Sequence, residues 1–110
     1  MIRLDTYSIV GRLARAIQYR TISGQDIPNS TGGEFQSFHK FLDELFPGVN
    51  KHLSKETVGR YNLLYTWKGA DERLKPILLM GHMDIVPVDP KSQRSWTYPA
   101  FSDRVAEGYV

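Results

Sequence analysis

The sequence predicts an α/β chain: two N-terminal helices followed by a mixed sheet. Three observations lead there. Apolar residues recur at helical spacing in two stretches, Asp5 to Gln18 and Gly32 to Phe46, apolar and aromatic runs of strand length come after them, and Gly, Pro and Asn gather at the joins. At 110 residues, 41% of them hydrophobic, the chain has the length of one ordinary domain and enough apolar material for a core.

The first helix is expected over Asp5 to Gln18, where Ile9, Val10, Leu13, Ala16 and Ile17 line one side and Arg12 and Arg15 the other. Asp5 or Thr6 can cap it. Gln25 to Gly33 has loop composition. The second helix is expected from Gly32 to Phe46, with Thr31 and Glu34 in capping-box spacing. Its stripe of Phe35, Phe38, Phe41, Leu42 and Leu45 suits a face packed on a sheet, and Pro47-Gly48 is the expected stop.

Strands are expected at His52 to Val58, a polar edge strand, and at Asn62 to Trp67, which is rich in aromatic residues. Pro76 to Met80 (PILLM) is short and continuously apolar, the pattern of a central strand covered on both faces. Near the end, Ala106-Glu107-Gly108 reads as the turn of a tight hairpin between Arg104-Val105 and Tyr109-Val110. A chain stopping inside that apparent strand is expected to be part of something larger.

Composition excludes several function classes. Fourteen Lys and Arg against twelve Asp and Glu leave a net charge of +2, and the basic residues are scattered. Nucleic acid, which calls for a concentrated basic stripe, is therefore not an expected partner. No apolar run approaches the roughly 18 residues of a membrane span. The start, Met1 to Asp5, turns polar at once, so a cytoplasmic protein is expected. With no cysteine there is no disulfide, thiolate ligand or thiol nucleophile. A metal would have to be held by carboxylates and by His39, His52 or His82.

The stretch Pro76 to Asp89 (PILLMGHMDIVPVD) carries the most chemistry. An apolar run meets Gly81, and His82 and Asp84 follow two residues apart, at the end of a strand where ligands collect in open α/β sheets. In extended backbone, residues i and i+2 project to the same side. Asp84 can then accept a hydrogen bond from one imidazole nitrogen of His82 while the other binds a metal, an arrangement that fixes the tautomer and raises ligand basicity. A surface or structural His-Asp pair is the competing reading of the triplet alone. His39, beside the apolar stripe of the second helix, and His52, beside Lys51, read as packing or surface residues.

The run Gly81-His82-Met83-Asp84-Ile85-Val86-Pro87-Val88 is followed by Trp96, Pro99 and Phe101 and then by Glu107-Gly108-Tyr109-Val110. Together these resemble the family of dinuclear zinc peptidases and amidohydrolases that includes carboxypeptidase S, aminoacylase, succinyl-diaminopimelate desuccinylase and peptidase T. Asn62 to Gly69 and Lys75 to Leu79 (NLLYTWKG and KPILL) look like the carboxypeptidase S branch. The resemblance covers Thr57 to Val110; Met1 to Glu56 offers a compatible pattern of two helices.

The resemblance implies a partial three-layer α/β/α catalytic domain, of which residues 1–110 are the N-terminal portion, ending before the family's bridging-aspartate motif. His82 matches a metal ligand, and Asp84, the catalytic position of the motif, matches the aspartate that holds that histidine and tunes the metal. Trp96, Pro99 and Phe101 match a structural segment. Ala100 stands where a second proline is common and Asp103 where glycine is common, so the loop from Ser102 to Arg104 is expected to turn differently. Two zinc ions, replaceable by cobalt or manganese, are implied for the complete site, with a metal-activated water attacking peptide or N-acyl-amino-acid amides. The bridging aspartate, the paired glutamates and the last histidine are expected beyond Val110, so the 110 residues alone are expected to be inactive. A homodimer through an inserted domain absent here is also implied. The alternative is a non-enzymatic α/β binding module that keeps the strand and loop.

Overall fold

The computed structural model describes residues 3–24 and 32–110. Helix α1 spans Thr6–Ala16. Of its two candidate caps, Asp5 takes the role, its side chain accepting the Ser8 N–H at 3.3 Å. Arg15 lies in the last turn, where a cation suits the carbonyl end of the helix, and its guanidinium sits 5.1 Å from the Phe41 ring centroid.

Helix α2 spans Gly32–Leu45 and buries Phe35 and Phe41. These two and Ala14 of α1 make up the buried apolar core among the described residues. The aromatic stripe does not lie on a sheet face as expected. Phe38 and Phe41 meet Tyr19, just past α1, at centroid distances of 5.4 and 5.1 Å. Phe35 instead stacks on Tyr61 at 4.7 Å. Gly32 makes that approach possible, because a Cβ there would collide with the Tyr61 hydroxyl. Residues 25–31 of the expected loop, including Thr31 of the expected capping box, lie outside the described residues. Glu34 accepts the Arg20 N–H at 3.1 Å.

α2 stops at Leu45, just before Pro47 as expected, but Pro47 does not open a loop. It starts a third helix, α3, over Pro47–His52, standing in the first turn where proline's missing N–H costs nothing. His52 consequently closes α3, exposed, instead of opening a strand. The hairpin follows: β1, Ser54–Val58, and β2, Asn62–Thr66, pair antiparallel from Ser54↔Thr66 to Val58↔Asn62. Its more covered face carries Lys55, Leu63 and Tyr65, and the Lys55 Nζ reaches Asp43 of α2 at 2.6 Å.

Pro76–Met80 is not a strand and is not buried. Ile77, Leu78, Leu79 and Met80 are 89, 69, 89 and 87% exposed. A continuous apolar run reports a preference for cover on two faces; a strand also needs a pairing neighbour, and the described residues place none beside it. The sheet described is thus a two-stranded antiparallel hairpin, and the isolated parallel bridge Ile22↔Ile85 lies outside it. Helices with this small sheet are compatible with the α/β class.

Helix α4, Pro90–Gln93, was not expected. Asp89 caps it, accepting the Lys91 N–H at 3.0 Å, with Pro90 in its first turn. Ala106 and Tyr109 exchange both backbone hydrogen bonds, 3.0 and 2.9 Å, around Glu107 and Gly108. Both turn residues have positive φ, 56° and 83°, as a two-residue hairpin turn of right-handed twist requires. No described helix is long and apolar enough to cross a membrane.

Candidate functional site

The His82 loop is anchored from the other end of the chain. The short extended step Thr21-Ile22-Ser23, after α1, runs parallel to Asp84-Ile85-Val86, with Ile22 opposite Ile85. Ile85 N–H donates to the Thr21 carbonyl and Ser23 N–H to the Ile85 carbonyl, both at 3.0 Å. Thr21, 3% exposed, donates its hydroxyl to the Met83 carbonyl at 2.6 Å. Ser23 donates its hydroxyl to Oδ2 of Asp84. The bridge therefore grips the loop through backbone and side chains together.

Within the loop the structure brings His82 and Asp84 side by side. His82 Nδ1 lies 2.8 Å from the Asp84 carbonyl and 3.3 Å from its Oδ1. Both neighbours are acceptors, so Nδ1 must carry the proton and the neutral ring keeps its lone pair on Nε2. The Ser23 hydroxyl, with a smaller contribution from His82, holds the Asp84 carboxyl below the usual carboxylate range. The His82 side chain is 82% exposed, so Nε2 is open to an incoming partner.

Phe35 and Tyr61 form one wall of a cleft of about 500 Å³ whose other wall is the His82 loop and Ser23. His39 lies outside the pair: its Nε2 is 2.9 Å from the Tyr61 carbonyl, a packing contact that supports this wall. His52 is on the exposed end of α3. Among the described residues no group of three or more His, Asp and Glu gathers in metal-ligating proximity. Ser23 and Thr21 were missed in the sequence, where three residues of alternating hydroxyl and isoleucine are too short to register as a strand.

The whole segment has close counterparts in known proteins. It is 41% identical over 109 residues to probable carboxypeptidase S-like 2 of Dictyostelium discoideum, covering 97% of this chain and 21% of that protein. With carboxypeptidase S of Saccharomyces cerevisiae it shares 38% over 100 residues, 86% of this chain and 17% of that protein. The chain belongs to the carboxypeptidase S family. An N-fatty-acyl-amino acid synthase/hydrolase of Xenopus tropicalis is 31% identical over 104 residues, 93% of this chain and 20% of that protein. The chain spans about a fifth of the length of the curated relatives it matches. No protein-family model and no solved structure matches it.

Within this chain, the stretch of Trp96, Pro99 and Phe101 lines a second depression of about 550 Å³ that also includes Ile17 and none of the His82 loop. The turn there closes from Ser102 N–H to the Pro99 carbonyl at 3.2 Å, with Phe101 at φ 62°. The left-handed residue is Phe101 and not Asp103, the position where glycine is common. The Arg20 guanidinium, 5.2 Å from its ring centroid, covers that residue.

Proposed function

We propose that this chain is the N-terminal portion of the three-layer α/β/α catalytic domain of a zinc-dependent metallopeptidase or N-acyl-amino-acid amidohydrolase. In this reading His82 is a metal ligand through Nε2, and Asp84 fixes its tautomer and orientation. The observation that carries it is the double acceptor environment of Nδ1, which leaves the exposed Nε2 as the lone-pair nitrogen. A nitrogen so prepared fits zinc, or cobalt or manganese in its place.

One histidine and one supporting carboxylate do not complete a zinc site, which takes three or four protein ligands. The further ligands and the general base are assigned to the rest of the full-length protein, and the 110 residues alone are expected to hydrolyse nothing. Bound zinc supplies a polarised carbonyl and an acidified water. The chain's own part is to hold His82 and to shape one wall of the cleft with Phe35 and Tyr61.

The substrate class follows the relatives, whose names are carboxypeptidase and N-fatty-acyl-amino acid synthase/hydrolase. Peptides or N-acyl amino acids are the proposed substrates, and dimerisation through an inserted domain is part of the same reading.

The test uses the full-length protein. Chelation and His82→Ala are each expected to abolish amide hydrolysis, and zinc is expected to restore the chelated wild type. Full activity in His82→Ala would remove the metal-ligand assignment, and activity indifferent to chelation would remove zinc dependence.

A further inference from the structure

We propose that Ser23 is a positioning residue of this site: its hydroxyl holds one oxygen of the Asp84 carboxylate so that the other is presented to His82 Nδ1. The proposal rests on the reading of His82 as a metal ligand and extends it to a residue 61 positions away in the sequence.

Asp84 needs such a partner. Its side chain is 46% exposed on a loop without strand pairing of its own except at the neighbouring Ile85. A carboxylate there can rotate about two torsions, and each rotation away from His82 leaves Nδ1 with the Asp84 main-chain carbonyl as its one remaining acceptor of the two. The Ser23 hydroxyl has a single proton and commits it to Oδ2, which leaves Oδ1 at 3.3 Å from Nδ1.

The geometry that delivers the hydroxyl is built into the parallel bridge. In extended backbone, Thr21 and Ser23 project to one side, and both hydroxyls meet the loop. Their targets differ in kind. Thr21 grips backbone, the Met83 carbonyl, and so sets where the loop runs. Ser23 grips the carboxylate, and so sets how Asp84 is turned. This division lets a positioning role be separated from a structural one.

The experiment measures zinc affinity by chelator competition and the melting temperature of the metal-free protein, using the full-length chain. Ser23→Ala is expected to weaken zinc binding about 10–100-fold, the usual effect of losing a group that supports a ligand. It should move the metal-free melting temperature less than Thr21→Val does. Ser23→Thr, which keeps the hydroxyl, is expected to recover most of the affinity. Wild-type zinc affinity in Ser23→Ala overturns the proposal, as does a Ser23→Thr variant no better than Ser23→Ala. A loss of zinc in Ser23→Ala no greater than in Thr21→Val, at equal loss of stability, also overturns it by making the contact structural. His82→Ala with undiminished zinc content and affinity would instead reject the underlying ligand assignment.

Discussion

Lys55 Nζ lies 2.6 and 2.8 Å from the two carboxylate oxygens of Asp43, tying the hairpin to α2 across a half-covered seam. The Lys55 hydrogen bond holds the Asp43 carboxyl below its ordinary value, and Asp43 raises Lys55 above its own. The carboxyl therefore contributes stability above its unfolded value near pH 4 and loses it as pH falls through the lower folded value. The ammonium contributes below about pH 10 and loses its share as pH rises through the higher folded value. With Asp43 40% exposed, the pair is worth no more than about 1 kcal/mol. Lys55→Met is expected to flatten both flanks of a stability-pH curve from urea unfolding; unchanged flanks would show that the pair contributes nothing.

Phe41, 3% exposed, joins α1 and α2 by touching Tyr19 and lying beneath Arg15. Phe41→Ala is expected to cost about 3–5 kcal/mol, a large share of a small domain's stability. Phe38→Ala, at a half-buried position, should cost clearly less. Chemical denaturation of the two variants checks the order, and equal losses would place the core elsewhere.

The tautomer of His82 is directly observable. Long-range ¹H–¹⁵N spectra of the metal-free protein are expected to show the neutral ring protonated at Nδ1, and Asp84→Ala should lower that population. A ring protonated mainly at Nε2 in the wild type would contradict the acceptor geometry around Nδ1.

Ile77 to Met80 leaves four apolar side chains exposed in a row, beside Leu74 at 73%. Patches of this kind drive association, and at about 25 cal/mol per Å² a few hundred Å² of covered apolar area is worth several kcal/mol. The 110-residue chain is expected to self-associate through this strip, and Ile77→Lys with Leu79→Lys is expected to shift it towards monomer. Sedimentation across concentration decides; a wild type monodisperse at every concentration would show that the strip is not sticky.

These residues also show how far the sequence could be read. Both long helices followed from the spacing of Ile9, Leu13, Phe35, Phe38 and Phe41, because 3.6-residue periodicity is a local property. The nearness of His82 and Asp84 followed equally from the two-residue repeat of extended backbone. Pro47 marks the end of α2 as its sequence implies, but the same ring also opens α3, which no apolar periodicity announces. Asp89-Pro90 carries a helix start, a capping residue before proline, but the four residues of α4 are too few to show an apolar period beside it. Pro76–Met80 failed for a different reason: hydropathy reports what a segment would bury, and pairing depends on chain far away. Ser23 lay beyond local reading altogether, since its partner is 61 residues distant.

The Ile22–Ile85 bridge has a kinetic consequence. Closing a loop of about sixty residues costs roughly 4 kcal/mol of chain entropy, and two backbone and two side-chain hydrogen bonds meet that cost only once both ends are in place. The helices and the β1–β2 hairpin close over short distances and can form without it. The His82 loop is thus expected to form late in folding and to open early. Amide protons of Ser23 and Ile85 are expected to exchange with solvent sooner than those of α2, which would make the His82 edge the part of the chain that assembles last.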